Sequence, residues 1–449
     1  MAQVQQMDVH RAARMFSDPA VVPRRVLAGD ACPCVLAASG RPRRKSGSKA
    51  AKPFRGRATP PPVATAHDAG DEKTLLVEYT RRIASLGRKK RWREVLDTLD
   101  DMRWRGIDAN LYTYSAAITA CSKGKQWQAA LALLGSLQRQ GLDPDAFIYG
   151  ASISACEKGR QWGLAVGLLA EVQHRNHGPN VVMYNAAISA CEKGQQWQLA
   201  VWLLGQMRGR GLWPDVITYS AAISACEKCQ QWELALGLLA KMRRVGLKPN
   251  VITYAAAVSA CEKGQQWQLA LTLLFEVLET GLRPDLVLFN AAISACEKGQ
   301  QWELALGLLG VAQRRGLGTN AITYNAVISA CEKDQQWLLA LNLLGEAQGR
   351  GLELDLISFN AAISACSKSQ QWALALGLLS EARRRGLEPN RITCSSALGA
   401  CDALEGSESP RWALALGLLG SMRATSLEPS GLHCGAAVRA LRRAGLWQR

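Results

Sequence analysis

From residue 76 onward the apolar positions fall into paired helical stripes. In residues 216–250, Tyr219, Ile223 and Cys226 sit at i, i+4 and i+7, on one face of a first helix. A polar stretch from Glu227 to Gln231 breaks the pattern. Trp232, Ala235, Leu236, Leu239 and Met242 then make a second stripe. Gly246 stops that helix as a C′ glycine, and Pro249 bars its continuation. The segment therefore predicts an antiparallel helix pair. Neither stripe can be hidden within one pair, so neighbouring pairs must stack. Strand alternation is absent, and the pattern predicts an all-α solenoid of helices of about 10–14 residues joined by short turns.

The pattern is periodic. Trp92, Trp127, Trp162, Trp197, Trp232, Trp267, Trp302, Trp337 and Trp372 are each 35 residues apart, Trp412 follows after 40, and Trp447 after 35. Cys121, Cys156, Cys191, Cys226, Cys261, Cys296, Cys331, Cys366 and Cys401 keep the same step. The additional residues fall in DALEGSESPR, at about 402–411, a polar and proline-containing stretch that reads as a loop insertion. Ten units span 76–430, starting at 76, 111, 146, 181, 216, 251, 286, 321, 356 and 391. An eleventh, 431–449, is partial and reads as a terminal cap.

Of the 449 residues, 48% are hydrophobic and 20% charged, which excludes wholesale disorder. No apolar run is long enough for a membrane span. The formal net charge of +17 points to a polyanionic partner. Lys123, Lys158, Lys193, Lys228, Lys263, Lys298, Lys333 and Lys368 occupy one column at the end of the first helices. Lysine there complements the helix dipole. Stacking would also turn the column into a ridge suited to a phosphate backbone, partly neutralised by neighbours such as Glu157 and Glu192. Eight such contacts would give a salt slope of about −5.

The cysteine column reads as packing, because stacked helices stand about 8–10 Å apart, beyond the roughly 7 Å Cα limit of a disulfide. His10, His67, His174, His177 and His433 are too scattered for zinc, and no metal or other cofactor is expected. Cys226/Cys229 is a CxxC in which Cys229 replaces a column glycine, and Cys32/Cys34 is a CxC in the leader. The tryptophans open the second helices and are expected to wedge between them, with base stacking as the other reading.

Residues 1–70 carry 12 Lys+Arg against 4 Asp+Glu. The leader, taken as 1–75, is basic, proline-rich and without helical periodicity, so it reads as disordered. It fits an organellar transit peptide, although serine is sparse and Asp8, Asp18 and Asp30 intrude. The RPRRK segment fits a nuclear-targeting or RNA-binding tail equally.

The 35-residue period, the TYNxxIxAC opening and the GLxPD/N close resemble the pentatricopeptide repeat family, over residues 76–449. The tetratricopeptide repeat has a 34-residue period, and a one-residue difference would drift along the tryptophan ladder. The resemblance implies a right-handed superhelix and a P-type array that binds single-stranded RNA in organelles, chloroplast favoured over mitochondrion, at about one base per unit. It implies a monomer without membrane, cofactor or small-molecule substrate.

The family's division of labour makes the second residue of each unit sandwich a base. Those residues are Val77, Tyr112, Phe147, Val182, Ile217, Ile252, Val287, Ile322, Ile357 and Ile392. Ordinary core residues at a helix start would look the same. The fifth and last residues read the base edge. The pairs are Thr80/Asn110, Ser115/Asp145, Gly150/Asn180, Asn185/Asp215, Ser220/Asn250, Ala255/Asp285, Asn290/Asn320, Asn325/Asp355, Asn360/Asn390 and Ser395/Ser430. Asx at the last position and Thr at the third also suit helix capping, which leaves the variation at position five unexplained. By the family's rule the array reads 5′-A-G-?-U-A-?-C-U-C-?-3′, with Gly150, Ala255 and Ser430 outside the pattern.

A deaminase needs HxE before its CxxC, and no HxE occurs. A metal-dependent nuclease needs an acidic cluster and added length. The chain is therefore expected to be a non-catalytic RNA binder acting in processing, stability, splicing or translation. The alternative is a scaffold that holds peptides on its concave face. The near-identical ISACEKGQQW blocks also fit a recently expanded array of weak specificity.

Overall fold

The computed structural model describes residues 69–175, 177–402, 411–424 and 428–443. The leader up to residue 68 with its CxC pair, the insertion at 403–410 and Trp447 lie outside them. The described residues hold 21 helices and no strand. They fall into two compact units divided between Arg81 and Arg82. In the smaller, described from residue 69, Thr80 Oγ1 donates to Leu76 O at 2.7 Å.

The first helix of the array is Ala69–Arg88, so it starts before residue 76. Its opening AGDEKTLL contains no proline and is rich in helix formers, which lets the helix extend backward. From Leu111 each unit settles into two 13-residue helices, as in Leu111–Lys123 with Trp127–Arg139 and Val216–Lys228 with Trp232–Arg244. The tenth unit gives Arg391–Asp402 and Arg411–Ala424, and the eleventh gives Gly431–Arg443.

Within the larger unit each first helix packs on its own second helix and on the first helix of the next unit. Each second helix packs on the following first helix, and no second helix has an extensive interface with another. Tyr219, Ile223 and Cys226 are fully buried, as their spacing predicts. On the second helix the buried stripe is Ala235, Leu238, Leu239 and Met242, with Leu236 half-buried. Burying a Leu or Met side chain contributes about 1.5–3 kcal/mol, and the stripe recurs in every complete unit.

The two helix ends use one turn geometry with different residues. Gly246 has φ 82°, with its N–H bonded to Arg243 O at 2.9 Å and Leu247 N–H to Met242 O at 3.2 Å, a Schellman motif. The first helix runs through Glu227 and Lys228, both good helix formers, so the break comes later than the polar run suggests. Its left-handed residue is Gln230, φ 60°, a position held in other units by Lys125, Arg160, Gln195, Gln265, Gln300, Gln335 and Gln370.

The tryptophans do not wedge between second helices. A Cβ at Gly159 would lie 2.3 Å from Trp127 Cδ1, and Gly194, Gly264 and Gly299 stand equally close to Trp162, Trp232 and Trp267. Each ring thus covers the C-terminal end of the next unit's first helix. Where the column carries Cys229, Asp334 or Ser369, φ moves from near −80° to between −90° and −103°.

Behind the exposed edge lies a row of buried tyrosine rings whose hydroxyls reach the second helices. Tyr149, Tyr254 and Tyr324 donate at 2.9 Å to Glu171, Glu276 and Glu346, one from each following second helix. Where Phe289 replaces tyrosine, Val311 and Leu278 replace the polar partners. Tyr219 faces a column position held by Lys241, and its buried hydroxyl has no partner among the described residues. Tyr149→Phe should therefore cost about 1 kcal/mol in urea unfolding, whereas Tyr219→Phe should cost nothing or stabilise slightly.

The cysteine column from Cys121 to Cys366 is buried and free. Burial pushes the thiols up, to about 11 at Cys121 and Cys366 and to about 12 at Cys191, Cys261 and Cys296. In the unfolded chain they ionise at about 8.5. The column's contribution is thus complete below that pH and lost as pH rises toward 11–12. The urea midpoint should hold to about pH 8 and then fall, and Cys261→Ala should make the fall shallower.

Candidate nucleic-acid interface

The N-terminal ends of the first helices carry the candidate site. Each begins on the last residue of the preceding unit, which caps it. The side-chain oxygens of Asn110, Asp145, Asn180, Asp215, Asn250, Asp285, Asn320, Asp355 and Asn390 accept the N–H of the residue three along, at 2.8–3.1 Å. These residues do hold the helix ends together.

The second-position residues are not core. Tyr112, Phe147, Val182, Ile217, Ile252, Val287, Ile322, Ile357 and Ile392 are 60–69% exposed, and Val77 is 49% exposed. From Tyr112 onward buried side chains flank each of them at positions three and four, such as Thr218 and Tyr219 beside Ile217. Helical spacing sets the second and the fifth residue on adjoining turns, and the unit's own last residue arrives from the cap of the next first helix. Every unit from the second to the ninth thus shows an apolar contact surface beside a half-buried or small residue at position five.

In two units the fifth and last residues bond directly. Asn185 Nδ2 donates to Asp215 Oδ1 and Oδ2 at 3.2 and 3.1 Å, and Asn325 Nδ2 donates to Asp355 Oδ1 at 3.1 Å. The aspartate consumes one amide hydrogen and leaves the other for a ligand. Asn290/Asn320 and Asn360/Asn390 lack a carboxylate at the last position. Ser220 Oγ lies 2.6 Å from Thr253 Oγ1, and Ser395 Oγ 2.9 Å from His433 Nε2. Ser115 is half-buried. Spacing alone does not reveal the third-position residue: Met183 and Leu288 follow the non-polar Gly150 and Ala255, but Ile148 follows Ser115.

The lysine column is a ladder of cross-unit ion pairs. Lys193, Lys228, Lys263, Lys298, Lys333 and Lys368 meet Glu157, Glu192, Glu227, Glu262, Glu297 and Glu332 of the preceding unit at 2.5–3.1 Å. Lys158 Nζ instead donates to Ser122 Oγ at 3.1 Å, and Lys123 is exposed. The free ridge expected from composition is thus neutralised along most of its length. Both the ladder and the tryptophans sit at the C-terminal ends of the first helices, about 18 Å along a 13-residue helix from the capped ends. That separation argues against tryptophan as a partner for bases held at those ends.

Three repeat families match the chain. "PPR repeat family" matches residues 179–228 and 214–263, "Pentatricopeptide repeat domain" 97–158 and 342–403, and "PPR repeat" 79–107 and 322–352. Together they cover more than half of the chain. No curated protein matches it. The crystal structure of the pentatricopeptide repeat protein PPR10 in complex with an 18-nt psaJ RNA element is 22% identical, with TM-score 0.59, over 84% of this chain and 59% of that one. A crystal structure of the pentatricopeptide repeat protein PPR10 from maize is 21% identical, with TM-score 0.52, over 83% of this chain and 62% of that one. The chain therefore spans about three fifths of the solved proteins it resembles. That likeness establishes the fold, and the repeat matches, in register with the ladder of helix pairs, establish that the chain belongs to the pentatricopeptide repeat family.

Proposed function

We propose that the array binds single-stranded RNA in a sequence-selective way, placing about one base at each capped helix end. The observation that carries this reading is the row of exposed apolar side chains from Tyr112 to Ile392, each beside the fifth and last residues of its unit. Leaving so many large apolar groups in water is unfavourable unless a flat apolar partner covers them, and a nucleobase face is such a partner. The neighbouring amides and hydroxyls then meet the base edge. A PPR10 structure, similar in fold, contains RNA. A peptide laid along the array would not need the polar group to change at one position per unit.

The mechanism is occupancy. The array holds a strand extended and denies it to nucleases or to pairing, in organellar RNA metabolism of the kind the family serves. No bond-making step is assigned to any residue. Base stacking contributes about 1–3 kcal/mol per base, offset by the ordering of strand and side chains.

The lysine ladder shapes the electrostatics of this reading. For a ladder lysine to take a phosphate, it must leave its glutamate, so the net gain per contact is small. The salt slope of binding should fall well short of the value of about −5 that eight free lysines would give. A slope at or beyond that value would show that the pairs open on binding. Base reading is tested at Asn325. Changing Asn325 to Ser beside Asp355 should move the preferred base of the eighth unit from U toward G, measured by selection from randomised oligoribonucleotides. An unchanged profile would remove this residue from the reading site.

A further inference from the structure

Behind the four asparagines at position five lies a hydroxyl of the following unit. Thr218 Oγ1 donates to Asn185 Oδ1 at 2.5 Å, Thr323 Oγ1 to Asn290 Oδ1 at 2.7 Å, and Thr393 Oγ1 to Asn360 Oδ1 at 2.5 Å. Ser358 Oγ donates likewise to Asn325 Oδ1. The same threonines accept the N–H of the cap residues Asp215, Asn320 and Asn390 at 3.1–3.4 Å. A buried hydroxyl that takes up Oδ1 leaves Nδ2 as the group the amide can present. Where position five has no polar group, the third residue changes with it. Met183 stands behind Gly150, and Leu288 follows Ala255.

His433 occupies this column behind Ser395 and is 1% exposed. The Ser430 N–H donates to Nδ1 at 2.9 Å, so Nδ1 is the unprotonated nitrogen of a neutral ring and Nε2 carries the hydrogen. Nε2 lies 2.9 Å from Ser395 Oγ and 3.3 Å from Arg391 O. Ser430 Oγ stands 2.6 Å from Nδ1. The imidazole therefore performs both duties of the threonines: it accepts the cap N–H and donates to the fifth-position side chain. Ser395, acting as acceptor toward the ring, keeps its own hydroxyl hydrogen to donate.

We propose that where the third residue of the following unit carries a hydroxyl or an imidazole it is a positioning residue that fixes which hydrogen-bonding group the base-reading side chain presents, and that His433 makes Ser395 with Ser430 a working nucleobase reader. The proposal rests on the RNA-binding reading above and assigns a role to a unit that lies outside the family's usual pairings. The test uses the full-length chain and the decamer 5′-A-G-N-U-A-N-C-U-C-N-3′, randomised in turn at its seventh, eighth and last bases. The unaltered protein should favour one base there by about fivefold or more, the size of one hydrogen bond to a base edge. His433→Thr should keep a preference, and His433→Leu should abolish it while the U preference opposite Asn325 stays. Thr323→Val should flatten the seventh position in the same way. An identical terminal profile for His433→Leu and the unaltered chain, or no terminal preference in the latter, would overturn the proposal with RNA binding intact. Failure of every decamer to bind would instead sink the RNA-binding reading.

Discussion

Burial between successive first helices is the contact on which everything else in the array depends. Tyr219, Ile223 and Cys226, with the alanines around them, lie in this layer and are sealed from water on every side. An isolated helix pair would leave that surface wet, so a unit holds its shape only through its neighbours. The layer also sets the axial register. It places each cap residue opposite the fifth position of its own unit, closely enough for a hydroxyl of the next unit such as Thr323 to meet both. Geometry at the candidate site is thus a by-product of core packing.

The charges follow the same register. A Glu near the end of one first helix meets a Lys from the next, a separation of one period plus one residue. Each pair is only partly buried, and exposed pairs of this kind contribute about 0–1 kcal/mol. Under the proposed RNA-binding reading, their larger effect would be on specificity of association. A strongly basic chain with a neutralised ladder cannot rely on that column to hold arbitrary polyanions, which leaves discrimination to the capped ends.

Much of this architecture was legible in the sequence. The period pointed to stacked helix pairs, the apolar stripe marked the buried face of the first helix, the second helix buries Leu238 where the stripe had Leu236, and Gly246 marked its turn. What was not legible depended on how units register against each other. The pairing of Lys193 with Glu157 and the seating of Trp127 on Gly159 are both contacts between units. Neither follows from the pattern inside one. Nor does spacing alone separate an exposed Ile217 from a buried Thr218, since both are compatible with a helix start. The link between positions five and three was only partly visible in the sequence, because Ser115 keeps its hydroxyl while Ile148 follows it. Gly150 with Met183 and Ala255 with Leu288 lose their polar groups together.

The outer helices are attached only inward, each clasped by first helices and not by its own kind. Such a layer resists compression, because its side chains meet the inner row, but offers little resistance to being spread. Were a strand to lie along the capped ends, a small change of pitch shared over many joints would accommodate a ligand whose spacing differs slightly from the resting repeat without any single pair coming apart.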